Sequence, residues 1–329
     1  MRAVVSPGGL PASDPAALLD VELAEPVPGP RDLLVAVRAV AVNPLETRLR
    51  GRANPDGAPR VLGWDAAGEV VAVGAEVSLF RPGDAVFYAG SILRAGANSA
   101  LHCVDERLAG PKPASLGFAE TAGLAAGGIT AWEMLFERMA LADGTLLVIG
   151  GAGGVGAMAV QLARARTAAR VIATASRAES RDFCLAMGAH DVIDHSGDLV
   201  AQMKALGVRR VERIFCTTAS DAHWPAMLAL AAPMGQVGLI DEGAALDVRA
   251  LRAKGLSLHY EAMFARSIFN LPDMIEQHRL LAAIAGLVDA GKLRSPLGTH
   301  FGEINAANLL RAHAAVESGR MVGKAVLGG

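Results

Sequence analysis

The stretch Thr145-Leu146-Leu147-Val148-Ile149-Gly150-Gly151-Ala152-Gly153-Gly154-Val155-Gly156 decides the fold. Residues 145–163 carry no charge and come close to the length of a membrane span. Five glycines, at 150, 151, 153, 154 and 156, would break a spanning helix in its middle. A short apolar strand, a tight loop and a helix fit better. The spacing G-x-G-x-x-G is met at Gly151, Gly153 and Gly156. One such glycine permits a sharp turn, one lets the backbone approach a pyrophosphate, and one lets the helix pack on the strand. The helix start then offers free N–H groups and a partial positive charge to phosphate. A ligand-free βα turn could use the same glycines. A phosphate-binding P-loop is excluded, because no Gly-Lys-Ser/Thr follows.

Working outward, strand-like and helix-like segments alternate from 145 to 240. Strands are expected at 145–150, 170–175, 192–194, 211–216 and 236–240, the last after a turn at Pro233-Met234-Gly235. Helices are expected at 155–166, 178–187, 199–206 and 222–231. This alternation implies an α/β fold with a Rossmann doubly wound parallel sheet. Residues 1–110 read as short strands between proline turns, with 33–42 and 68–73 rich in valine and Arg81-Pro82-Gly83-Asp84 as a turn. Later helices at 271–290 and 304–318 precede a closing strand at 324–327. The expected division is a β-rich region over 1–121, the dinucleotide domain over 122–263, and a return over 264–329.

Composition limits the function. The 329 residues are 52% hydrophobic and 19% charged, which excludes a disordered chain. A net charge of -2 gives no broad field for nucleic acid or an anionic membrane. Cys103, Cys184 and Cys216 are scattered, so neither a disulfide framework nor a four-cysteine zinc lobe can form. The first ten residues lack the apolar core of a signal peptide. A cytoplasmic location is therefore expected.

The second strand bears on cofactor choice. NAD binding calls for a carboxylate near its tip, to hold the ribose 2′-OH. Here Ser176-Arg177 stand there instead. A guanidinium pairs well with a 2′-phosphate, which favours NADPH. The alternative for Arg177 is a solvated cation opposing a helix dipole. His195, at the tip of the next strand, is either a ring beside the adenine ribose or a surface loop histidine.

The order of parts, together with five further motifs, resembles the medium-chain dehydrogenase/reductase superfamily over the whole chain. The motifs are Ala41-Val42-Asn43-Pro44-Leu45-Glu46-Thr47, Leu62-Gly63-Trp64-Asp65-Ala66-Ala67-Gly68-Glu69-Val70, the Pro-Gly-Asp turn, Thr130-Ala131-Trp132 and Gly319-Arg320-Met321-Val322-Gly323-Lys324. Within the superfamily the chain is most similar to the quinone oxidoreductase branch, including bacterial proteins called zinc-type alcohol dehydrogenase-like. The resemblance implies a GroES-like N-terminal domain and places the Asn43 stretch under the nicotinamide. It implies cofactor contacts from Asn43, Thr130, Gly151, Gly153, Gly154, Val155, Gly156, Ser176, Arg177, His195, Leu239, Ile240, Phe264 and Lys324. Zinc alcohol dehydrogenases carry Cys where this chain has Asn43, and Gly-His-Glu where it has Gly63-Trp64-Asp65. Tryptophan cannot ligate zinc, and His102 and Cys103 would point to opposite faces of a strand. No metal is expected.

Without a metal to polarise oxygen, alcohol oxidation is hard and reduction of an activated acceptor is easier. A quinone or α,β-unsaturated carbonyl becomes a delocalised anion on accepting hydride, so positioning and oxyanion donors suffice. Asn43 either orients the nicotinamide or acceptor or is simply a turn residue before Pro44. Arg48 either stabilises an enolate or is a surface cation. Trp64 either lines the vacated metal space or packs in the core. Loops near 45–60, 88–100 and 260–272 are expected to shape the pocket. The alternatives are a broad aldehyde or alcohol dehydrogenase and an NADPH-binding protein with little turnover. The expected partners are a small-molecule substrate and a second copy of the chain, joined through an edge strand at 255–260.

Overall fold

The computed structural model describes residues 1–243 and 245–329. It divides into two compact units, Gly127–Met263 and a unit formed by Met1–Ala126 with Phe264–Gly329. The central unit is built as its sequence periodicity demands. Its six strands are all parallel, in the order Asp191–Ile193, Arg170–Thr174, Thr145–Ile149, Val211–Cys216, Ala231–Leu239, Ser257–Tyr260. The order reverses direction beside Thr145–Ile149, which is where an open parallel sheet leaves a crevice at its C-terminal edge. The strands read as near-continuous apolar runs because helices cover the sheet. Leu147, Ile149, Ile172, Ile214, Val237 and Leu239 are all buried in one core.

One expectation fails here. Pro233-Met234-Gly235 is not a turn before a strand but lies inside the strand Ala231–Leu239. Pairing starts at Val211↔Ala231, slips, and resumes at Arg213↔Gln236. The extra residues are absorbed as a bulge, with Met234 at φ 63°. The strand Ser257–Tyr260 ends the sheet, with its outer side unpaired in the described chain.

The other unit is mostly antiparallel. Its long strand Asp32–Val42 pairs with Ala66–Val73 on one side and with Lys324–Gly328 on the other. The chain's last strand is therefore seated against one of its first, and Ala325 lies opposite Val42. Leu33, Val35, Val40, Tyr88, Leu309 and Leu327 form its buried core. The stretch expected as loop near 45–60 opens instead with a helix, Pro44–Gly51. Pro44 sits at the first helical position, where its missing N–H costs nothing, and Glu46 lies in the first turn, favoured by the dipole. The helix expected at 271–290 starts later, at Ile275, because Leu271 to Met274 close a turn of their own. No helix among the described residues is long and apolar enough to cross a membrane.

Candidate functional site

In the central unit, the strand Thr145–Ile149 runs into the glycine loop at the sheet's C-terminal edge. Gly150 carries the sharp reversal, at φ 82°, although it lies outside the G-x-G-x-x-G spacing. Neighbouring strand ends clamp the loop. Gly150 N donates to Thr174 Oγ1 at 3.0 Å, and Gly151 N donates to Thr174 O at 3.2 Å. Thr217 Oγ1 donates to Ile149 O at 2.9 Å. Neither threonine was legible as part of the site, since a threonine at a strand end has no distinguishing signal.

The glycines divide the work. A Cβ on Gly151 would come within 2.7 Å of Ala173 Cβ, and one on Gly156 would run into the Gly150 carbonyl. Both are therefore demanded by packing. Gly153 is exposed, and the nearest atom to a Cβ there is Gly150 O at 3.6 Å. Packing leaves that position open, so its glycine fits close approach of a ligand. Gly153 caps the helix Gly154–Arg166 with no side-chain hydrogen bond. The first-turn N–H groups of Gly154, Val155 and Gly156 have no partner within the helix, and the first turn holds no acidic side chain. This cradle fits a pyrophosphate.

The rest of that edge carries the other expected groups. Ser176 is exposed, and Arg177 caps the helix Ala178–Ala186. His195 is half-buried, and its Nδ1 is buried with no hydrogen-bond partner among the described residues. Its ring meets that of His223 edge to face, with centroids 6.2 Å apart. His223, on the helix Ser220–Leu230, escaped sequence reasoning because nothing local shows where it points. Burial, and then the neighbouring His195, hold its pKa below the usual histidine range. Leu239 is fully buried at its strand end, Ile240 is half-buried beyond it, and Thr130 is buried in the helix Ala125–Trp132.

The other unit holds a separate polar cluster. Lys324 Nζ donates to Asn43 Oδ1 at 2.6 Å, to Asp65 Oδ2 at 2.8 Å and to Val42 O at 3.4 Å. All three ammonium hydrogens are thus used inside the unit. Asp65 is fully buried and also accepts from Ala126 N at 3.0 Å. Asn43 Nδ2 is shared between Asp65 Oδ2 at 3.3 Å and Glu46 Oε1 at 3.4 Å. Glu46 accepts further from Asn43 N at 2.9 Å and Trp64 N at 3.3 Å. Burial is the dominant influence on Glu46 and raises its pKa to about 7, against the opposing pull of Lys324. Before its surroundings are known, Glu46 is no more than a letter in the motif around Asn43. Its importance appears only once its burial is known.

These contacts bear on the expected roles. Both amide groups of Asn43 are engaged inward, so Asn43 is a fixed residue rather than a spare donor. Of the two alternatives for Trp64, the structure shows core packing, at 1% exposure. Arg48 lies exposed on the helix Pro44–Gly51. Phe264 is half-buried against the same unit's core. The donor set does not fit zinc. At the positions where zinc enzymes place ligands, this chain presents a committed amide and an indole, with an ammonium beside them. Cys103 is buried in the strand Leu101–Asp105, and burial raises its pKa, so the thiolate a metal needs is disfavoured. Among the described residues no group of three or more His, Cys, Asp or Glu side chains is placed to hold a metal ion.

Both units match known protein families. The alcohol dehydrogenase GroES-like domain family matches residues 29–141, and the zinc-binding dehydrogenase family matches residues 154–277. A zinc-type alcohol dehydrogenase-like protein of Staphylococcus aureus is 38% identical over 314 residues, covering 93% of each chain. A quinone oxidoreductase of Pseudomonas aeruginosa is 31% identical, covering 91% of this chain and 92% of that one. A Rhizobium etli structure named for a zinc-dependent alcohol dehydrogenase superposes with a TM-score of 0.97 at 49% identity, over 100% of this chain and 98% of that one.

The cluster predicts a specific stability defect. Lys324→Met strands the Asp65 carboxylate in the interior without its cation, which should cost about 3–5 kcal/mol. Urea denaturation measures it, and Lys324→Met with Asp65→Leu should recover most of the loss. A single variant as stable as wild type would show that the pair is not the internal tie described.

Proposed function

The chain belongs to the medium-chain dehydrogenase/reductase superfamily, and from that premise we propose that it is an NADPH-dependent reductase passing hydride to a quinone or an α,β-unsaturated carbonyl without zinc. What supports this reading is the cluster of Asn43, Asp65 and Lys324, in which Asn43, standing where the resemblance puts a zinc-ligating cysteine, is tied into a closed, hydrogen-bonded ion pair. An unactivated alcohol then lacks the Lewis acid that would ease its ionisation, whereas a quinone or enone needs none.

When bound, the cofactor supplies the hydride from C4 of its nicotinamide. The glycine loop holds the pyrophosphate through the bare N–H groups of the helix start. Arg177 pairs with the 2′-phosphate, and His195 with His223 borders the adenosine end. Asn43, fixed by Lys324 and Asp65, holds its stretch of chain against the nicotinamide. The acceptor takes up hydride with its electron pair, and the resulting anion takes a proton from water. Catalysis is then mainly positioning. A cytoplasmic setting suits the three free, buried thiols Cys103, Cys184 and Cys216. A homodimer joined through the edge strand Ser257–Tyr260 is part of the proposal, and a monomer by light scattering at micromolar concentration would contradict it.

Two further measurements test the rest. In a panel read by NADPH oxidation, quinones and enones should turn over, while simple saturated alcohols with NADP should not. Efficient oxidation of ethanol by the metal-free protein would move the assignment to an alcohol dehydrogenase, and tight NADPH binding with no turnover would mark a binding protein. Paired titrations should show NADPH binding more tightly than NADH, with Arg177→Ala closing most of the gap. Equal affinities in the wild type would remove the argument from Ser176-Arg177.

A further inference from the structure

Thr174 and Ile193 are the last paired residues of two neighbouring parallel strands, Arg170–Thr174 and Asp191–Ile193. Ala175 N extends that ladder by donating to Ile193 O at 2.9 Å. Ser176 and His195 each stand two residues past the last pair, at adjoining strand tips. The backbone around His195 is clamped. Gln202, on the helix Leu199–Ala205, accepts from Asp194 N at 2.8 Å and donates to Asp194 O at 2.8 Å. Asp194 Oδ1 in turn accepts from Ser196 N at 2.8 Å and from Ser196 Oγ at 2.7 Å. A clamped backbone does not fix an imidazole, because the torsion that turns the ring on its Cβ is broad. Among the described residues the His195 ring finds no hydrogen bond: Nδ1 is buried without a partner, and Nε2 is open to solvent. The aromatic ring it meets is that of His223, edge to face at an interplanar angle of 77°.

His223 is itself fixed near the start of the helix Ser220–Leu230. Its N donates to Ala219 O at 3.2 Å, and Ala219 holds a left-handed conformation at φ 51°. Ser220 N donates to Asp241 Oδ2 at 2.8 Å, which ties the helix start to the chain beyond the strand Ala231–Leu239. Edge-to-face contact orients one ring against another, since the positive edge of one seeks the negative face of the other. We propose that His223 is a positioning residue for the 2′-phosphate of the cofactor: its ring locks that of His195 with Nε2 turned outward beside Ser176, as a ready N–H donor. This rests on the proposed reading that the Ser176-Arg177 tip takes the 2′-phosphate of NADPH. His223 acts through His195 and touches no phosphate itself. An ordered donor binds phosphate better than a mobile one, because the entropy of fixing the ring is lost on folding rather than on binding. The 2′-phosphate is the whole difference between NADPH and NADH. The lock therefore bears on their discrimination and leaves the grip of the glycine loop on pyrophosphate unchanged.

The ratio of the NADH and NADPH dissociation constants isolates this effect, since everything the two cofactors share cancels. Fluorescence titration gives that ratio for the wild type, His223→Ala, His223→Phe, His195→Ala and the double alanine variant, each shown to be folded by its thermal melt. His223→Ala should lower the ratio about tenfold, the usual order for a hydrogen bond to a charged group, by weakening NADPH and sparing NADH. His223→Phe keeps an aromatic ring against His195 and should restore most of the ratio. His195→Ala should lower the ratio at least as far. Adding His223→Ala to it should change nothing more, because residues that act through one contact are not additive. An unchanged ratio in His223→Ala, including an equal loss of both affinities, would overturn the inference. So would a further fall in the double variant, or a phenylalanine variant as poor as alanine. Should His223→Ala fail to fold, His223→Leu, which fills the space without an aromatic face, is read in its place with the same expected loss. A wild type that binds NADPH no more tightly than NADH would instead overturn the proposed cofactor choice on which this rests.

Discussion

The ion pair between Lys324 and Asp65 ties together parts of the chain 259 residues apart. Both charges lie in the interior, where neither would be tolerated alone. Lys324 reaches its place because the last strand pairs with Asp32–Val42, and Asn43 follows that strand immediately. The C-terminal return is thus required by electrostatics as well as by the sheet. Once the ammonium is in place it claims Asn43 Oδ1, and Asp65 with Glu46 claims Asn43 Nδ2. An amide held at both ends cannot reorient. The start of the helix Pro44–Gly51 is thereby fixed, since the backbone N–H of Asn43 also bonds to Glu46.

The central unit is governed by a different constraint, the need to leave backbone N–H groups bare at one helix start. Two glycines of the motif are consumed by packing and one is left open, while the reversal itself falls on a fourth. The clamps from Thr174 and Thr217 come from the strands on either side of Thr145–Ile149. The loop's shape is therefore a property of the sheet as well as of its own sequence. The other unit holds a rigid polar cluster of Asn43, Asp65, Glu46 and Lys324.

Much of this was legible before any coordinates. Alternating strand and helix signals between 145 and 240 placed the parallel sheet, because apolar runs and 3.6-residue periodicity are local properties. The glycine spacing located the tight turn between strand and helix for the same reason. The failures have physical causes too. Pro233-Met234-Gly235 looked like a turn because those residues favour turns, yet neighbouring strands held the segment in register around a bulge. The stretch near 45–60 was expected as loop, yet it opens with the helix Pro44–Gly51, whose first position welcomes proline. Trp64 was ambiguous between pocket and core because an aromatic residue serves either, and only its burial decides. Glu46 and His223 were missed because long-range neighbours define them, and no local pattern encodes those.

The central claim is that hydride moves from NADPH to an activated acceptor on a protein that needs no zinc. The direct measurement is isotope transfer. Protein stripped of metal with chelator and verified by elemental analysis is incubated with NADPH deuterated at C4 on one face and an α,β-unsaturated carbonyl. Parallel reactions use the opposite label. Mass spectrometry of the reduced product should show deuterium at the β-carbon from one of the two labels, at the same rate with or without added zinc. No transfer from either label, or transfer only after zinc is restored, would contradict the account.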